Sequence, residues 1–275
     1  MKKMFLSIIA AVLSVTALAQ AESRPDSSQF VAFYTQTINT KDCEGHNVTD
    51  SIRLALLVGT RATSCMAAVT YEEQYGASPE MLNVFIMHHQ SVFTDVEKKD
   101  VTALEPLFPY RYVTHEPMAD IKWSLSADTM TIAGLLCRRA SCELYGKRWT
   151  AWYAESMPSS AGPWKLRGLP GLIVKAEDAE GIHCFLLYET KNVSKEISPI
   201  GTDPNYQRLS REKLMRFKKK TLGNSRYPGE PTYYVPEDAD AFAEIDVNGV
   251  KMYIGMGSHM LVPYKSHVYK PLELK

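Results

Sequence analysis

Six short strand-like runs between Tyr110 and Glu189 most constrain what this chain can fold into. They are Tyr110 to His115, Ile121 to Ser126, Met130 to Cys137, Glu143 to Tyr153, Leu172 to Ala176 and Ile182 to Glu189. Turn signals separate several of them: Glu116-Pro117, Ala127-Asp128, Arg138 to Ser141, and Asp178 to Gly181. Short strands at this spacing predict an antiparallel sheet built from meanders. Gln29 to Ile38 reads as an earlier strand, and Met81 to Phe93 as another, broken by His88-His89-Gln90. Phe242 to Asp246 and Val250 to Ile254 flank Asn248-Gly249, a two-residue hairpin signal. Two segments read as helix. Asp50 to Tyr75 has a partly helical period with Asp50 as its cap, and Leu209 to Leu222 has an apolar stripe (Leu214, Met215, Phe217, Leu222) amid lysines and arginines. The expectation is one α+β domain over 22–275, mainly a curved antiparallel sheet or half-barrel, with the basic helix packed on it.

The first 21 residues have the form of a secretory signal. Lys2 and Lys3 precede an apolar run from Met4 to Val15, followed by A-x-A sites ending at Ala19 and Ala21. The run is short for a membrane span, and no later stretch approaches one. A periplasmic or secreted protein is expected. Of 31 Lys and Arg, two leave with the leader, so 29 remain against 31 acids. That balance argues against nucleic acid as a partner.

Gly162, Pro163, Gly168, Pro170 and Gly171 punctuate one greasy segment that runs into the strand at Leu172. Trp164, Leu166 and Leu169 are too apolar for a solvated linker, so the loop is expected against a core or a ligand. Pro163, Trp164, Lys165, Arg167, Gly168, Leu169, Pro170 and Gly171 are the candidate binding loop, with Trp149 and Trp152 as a candidate aromatic groove for an apolar or peptide ligand.

Five cysteines lie after the leader, so at least one is unpaired within the chain. Cys137 and Cys142 flank Arg138 to Ser141, and a hairpin there predicts a disulfide between them. Cys43 with Cys65 would be a second pair, leaving Cys184. Met252, Met256, His259 and Met260 combine thioethers with an imidazole, a set suited to copper. His88-His89 and His183-Cys184 are adjacent pairs that point to opposite faces of a strand. No nucleophile elbow, H-E-x-x-H or phosphate loop is present, and no cofactor is indicated.

Gly168-Leu169-Pro170-Gly171-Leu172-Ile173 is the hexapeptide of the GLPGLI family of exported Bacteroidota proteins, which this chain resembles. Gly146 to Tyr153 resembles the family's G-R-x-x-A-W strand, and Cys137-Arg138-Arg139-Ala140 its C-x-K-A turn. Ser91-Val92-Phe93 and Pro271-Leu272-Glu273-Leu274 resemble its S-x-F element and its closing motif. The chain departs at Lys147, Met157 and Lys270. The resemblance implies an address in the envelope, and an outer-membrane receptor or other envelope protein as partner. It implies no activity. A non-catalytic binding or accessory protein is the first expectation; a copper-handling protein and a thiol-based enzyme through Cys137 and Cys142 are the alternatives.

Overall fold

The computed structural model describes residues 25–41, 45–75, 90–107, 110–222, 242–247, 250–255, 261–263 and 270–274. Within them the elements run β1 (Asp26–Ser27), β2 (Phe30–Lys41), β3 (Asn47–Val58), β4 (Ala62–Ala67), α1 (Ala68–Tyr75), β5 (Ser91–Asp95), β6 (Asp100–Leu107) and β7 (Tyr110–Pro117). They continue with β8 (Ser124–Ile132), β9 (Leu135–Leu144), β10 (Lys147–Ala154), β11 (Leu172–Asp178), β12 (His183–Lys191), β13 (Glu196–Ile197) and β14 (Gln207–Arg208). The last are α2 (Arg211–Leu222), β15 (Phe242–Val247), β16 (Val250–Gly255) and β17 (Leu261–Pro263). The protein is α+β and dominated by one large curved sheet that does not close into a barrel.

That sheet has twelve strands in the order β14-β7-β6-β5-β4-β3-β2-β12-β11-β10-β9-β8. All neighbours are antiparallel except the short β14–β7 pair. Two consecutive meanders therefore meet at one seam, where β2 pairs with β12 from Val31↔Lys191 to Ile38↔His183. The connection between the meanders explains the curvature. β7 and β8 stand ten strand positions apart, about 48 Å along a flat sheet. Residues 118–123 join them, a strap that spans at most about 25 Å from Pro117 to Ser124. Only a curled sheet brings its two ends within that reach.

Curling gives two apolar layers. Inside lie Tyr34, Leu54, Leu56, Val92, Val101, Trp149, Tyr153 and Phe185, all buried. On the convex side Val31, Phe33, Ala55, Leu57, Met66 and Tyr71 pack with Ile197. β3 contributes to both layers, which is why 50–58 is strand and not the expected helix, and 62–67 follows as β4. A strand covered on both faces loses its alternation and reads as a continuous apolar run. Only Ala68–Tyr75 of that segment is helical.

The turn expected at Arg138 to Ser141 is also corrected. Those residues lie mid-strand in β9. The reversals fall at Ala133-Gly134 and Tyr145-Gly146, where all four residues have positive φ (50°, 77°, 48° and 82°). Paired positive φ values define the mirror-image turn that suits strand twist. They bring Ile132 opposite Leu135 and Leu144 opposite Lys147. The run from Ile121 begins as strand only at Ser124, after the strap. The expected basic helix is α2, and the expected hairpin is β15–β16, with Val247 opposite Val250. Residues 81–89 and the leader lie outside the described residues.

Candidate functional site

Residues 155–171 leave β10 and return as β11, filling the hollow of the curled sheet. Two glycines permit this. A Cβ on Gly162 would sit 2.6 Å from the Leu166 carbonyl oxygen, and one on Gly171 only 2.3 Å from that of Ala154. Trp164, Leu166 and Leu169 are buried among the inner core residues. Trp164 holds a φ of 56°, a region a bulky residue enters only when its surroundings fix it. They do. Its backbone N–H donates to Cys65 Sγ at 3.3 Å and its indole N–H to Gln90 Oε1 at 2.8 Å. Its ring lies 5.7 Å from Trp149 and 5.6 Å from Tyr145.

Beside Trp164, a buried ionic cluster ties the loop to distant elements. Lys165 Nζ donates to Glu116 Oε1 at 2.5 Å and to Glu273 Oε1 at 2.6 Å. Arg211 Nε donates to Glu273 Oε2 at 2.7 Å, and Arg211 also stacks over the Tyr145 ring. Lys218 reaches Glu105 at 2.6 Å, and Glu105 also accepts from Gln90. Strand β7, the loop, α2 and the C-terminal residues thus share one network. Burial pushes the Glu273 carboxyl up, but Lys165, Arg211 and Lys218 outweigh it and hold it below the usual glutamate value. Burial, reinforced by Glu116 and Glu273, drives the Tyr145 phenol well above its ordinary value.

A second buried group sits under β10 to β12. Lys147 Nζ donates to Asp178 Oδ2 at 2.5 Å, and Asp178 accepts the His183 backbone N–H. Burial, then the Lys147 charge, lowers the His183 pKa to about 4. A histidine kept neutral stabilises the fold fully above its unfolded value near 6.5, and that contribution is lost as pH falls toward the folded value. Acid titration should therefore lower the melting temperature between pH 6.5 and 4. His183→Gln should remove that part of the slope, and an unchanged slope would assign it elsewhere.

The candidate residues separate into buried and reachable sets. Trp149 is 1 % exposed and packs against Trp164 and Phe185, while Trp152 is 8 % exposed. Both are core residues, though Trp149 also borders an open cleft of about 590 Å³ with Asp120, Lys122, Arg139, Cys142 and Arg148. Of the loop, Pro163, Trp164, Lys165, Leu169 and Gly171 are buried. Gly168 and Pro170 are exposed, and Arg167 is half-buried. Arg167 forms no ion pair among the described residues, and burial lowers its pKa. The strap holds it from above: Trp123 donates its indole N–H to the Arg167 carbonyl oxygen at 2.8 Å. Sequence reasoning singled out Arg167 but missed Glu116, Tyr145 and Arg211. Their roles depend on the curl, for which the chain carries no local signal.

The disulfide expectation is corrected. Cys137 and Cys142 lie five positions apart on β9, about 17 Å along the strand, far beyond the ~6 Å Cα separation of a bridge. Both thiols are free, as are Cys65 and Cys184; Cys43 lies outside the described residues. Burial, then Glu143, pushes the Cys142 thiol up to about 12, and burial raises Cys65 to about 11. Thiols so protonated are poor nucleophiles. Iodoacetamide at neutral pH should spare Cys65, Cys137 and Cys142 in native protein and modify them after denaturation. Rapid native labelling of Cys142 would restore the thiol-enzyme alternative. Of the copper candidates, Met252 lies on β16, and Met256, His259 and Met260 fall outside the described residues.

At the free edge, β8 and β9 expose Leu125, Met130 and Leu136 at 58 %, 46 % and 66 %. Among the described residues no helix is long and apolar enough to cross a membrane.

Fold and site together define a curled β-sheet protein plugged by its own loop. Residues 143–175, which contain that loop, match the family described as "Protein of unknown function (Porph_ging)". No curated protein matches the sequence. Among solved structures the chain is similar to PNGF-II in two crystal forms, with 13% identity in each. TM-scores are 0.48 and 0.46, covering 70% and 72% of this chain. The chain spans about a third of the length of those PNGF-II chains, 32% and 33%. It is also similar to a DUF1329 family protein from Desulfovibrio piger, with 9% identity and a TM-score of 0.25, covering 66% of this chain and 89% of that one.

Proposed function

We propose that this protein is an exported, non-catalytic accessory of the cell envelope that recognises a partner polypeptide at the outer tip of its loop. The resemblance to the GLPGLI family and the form of the leader support the address. The observation that carries the recognition surface is Arg167: a half-buried guanidinium with no carboxylate partner among the described residues, at the reachable end of a loop otherwise welded into the core. A desolvated cation of this kind suits a carboxylate supplied by a partner. The neighbouring β8 edge, with only Asp128 charged in nine residues and with Leu125 and Met130 exposed, offers an extended apolar segment a strand to pair with.

The test uses Arg167→Ala, which keeps the backbone carbonyl that Trp123 bonds, and Met130→Glu at an exposed position. Cross-linking in intact envelopes should capture a partner with wild-type protein and lose it with either variant, while Lys195→Ala retains it. Unchanged capture by Arg167→Ala would sink the assignment of this surface.

A further inference from the structure

Helix α2 carries basic residues on both its sides, and the two sets have different fates. Arg211, Leu214 and Lys218 face inward. Leu214 is 3 % exposed, and Arg211 and Lys218 bond to Glu273 and Glu105. Lys213, Arg216 and Lys219 recur at helical spacing on the opposite side and are exposed. None of the three forms an ion pair among the described residues. Glu212 is the one acidic residue of the helix, and its pKa is lowered by hydrogen bonding at the helix start and by the neighbouring arginines.

We infer that the outer face of α2 is a docking surface for an anionic lipid bilayer. The helix is anchored by its inner face, with Phe217 also lying 5.5 Å from Tyr112, so the outer row is presented rigidly. The row from Lys213 to Lys219 is about 9 Å long, and it concentrates positive charge on a chain that is otherwise balanced. Charge complementarity therefore selects an anionic counter-surface. The exposed face carries three flexible cations against Glu212 alone, with the ring of Phe217 also exposed on the helix. A basic face with an aromatic beside it matches a plane of phosphate headgroups over an apolar layer.

The test is flotation of the purified mature protein with vesicles. Vesicles of phosphatidylcholine mixed with phosphatidylglycerol should bind it at low salt and release it at high salt, and vesicles of pure phosphatidylcholine should not bind it. The triple variant Lys213→Gln/Arg216→Gln/Lys219→Gln should lose ~100-fold in affinity, because each cation near an anionic surface contributes about fivefold and the three factors multiply. Circular dichroism checks that α2 persists, since all its inward contacts are retained. Absence of phosphatidylglycerol-dependent binding, or equal binding by the triple variant, overturns the inference. Equally tight salt-sensitive binding to soluble polyglutamate reassigns the row to acidic proteins and overturns it too. Because the row and Arg167 lie on different elements, loss of lipid binding leaves partner capture standing.

Discussion

Trp164→Ala should unfold the protein rather than merely blunt recognition. The side chain is 3 % exposed and packs on Trp149 and Tyr145 within the inner core. Truncating a buried tryptophan costs about 3–5 kcal/mol, a large part of the ~5–15 kcal/mol that holds a domain together. The variant also strands Gln90, which loses its 2.8 Å bond from the indole. Alanine inherits the positive φ, so the strain remains while the packing that enforces it is gone. Thermal melting followed by circular dichroism measures the loss. Trp164→Phe should retain most of the packing and cost about 1–2 kcal/mol through Gln90. A native melting temperature for Trp164→Ala, with partner capture abolished, would show that the indole acts at the surface and not in the core.

Glu273→Ala should be comparably severe, although it alters a residue two positions from the C-terminus. Its carboxylate accepts from Lys165 and Arg211, both largely buried. Removing it leaves two cations to share Glu116, and breaking a buried pair costs about 3–5 kcal/mol. The pH dependence follows from the lowered Glu273 pKa. A depressed carboxyl stabilises the fold above its unfolded value near 4.5, and that contribution is lost as pH falls through the folded value. Wild type should therefore lose stability below pH 4.5, and Glu273→Ala should lose less there because it starts without the contribution. The double variant Lys165→Met/Glu273→Leu should recover part of the deficit, since it removes charge from both sides of the pair. Strict additivity of the two single losses would mean the contact is not energetically coupled.

Strand identity was legible at β7, β11, β12 and the β15–β16 hairpin, which fall where the residue pattern put them. It was misread where both faces are covered, as at Leu54 to Val58, because burial on two sides erases the period that distinguishes strand from helix. The reversals at Ala133-Gly134 and Tyr145-Gly146 were passed over because alanine and tyrosine are poor first residues for positive φ. A turn at Arg138 to Ser141 would have faced Cys137 with Cys142, whereas both lie along β9. The loop was recognisable as structured and apolar, and its burial agrees. Its ionic partners were not, since Lys165 and Glu273 are 108 residues apart and meet only through the curl.

The strand order also governs how the chain can be made. β2 finds β3 within a few residues of emerging, but its other edge waits for β12, about 150 residues later. Synthesis delivers the N-terminal strands first. Until β12 arrives, the β2 backbone offers an unpaired edge to any neighbouring chain, the geometry that seeds intermolecular pairing. Yield in recombinant expression should then depend on the lifetime of that half-built seam, and slower elongation between β7 and β12 should favour inclusion bodies even though the finished fold is unchanged.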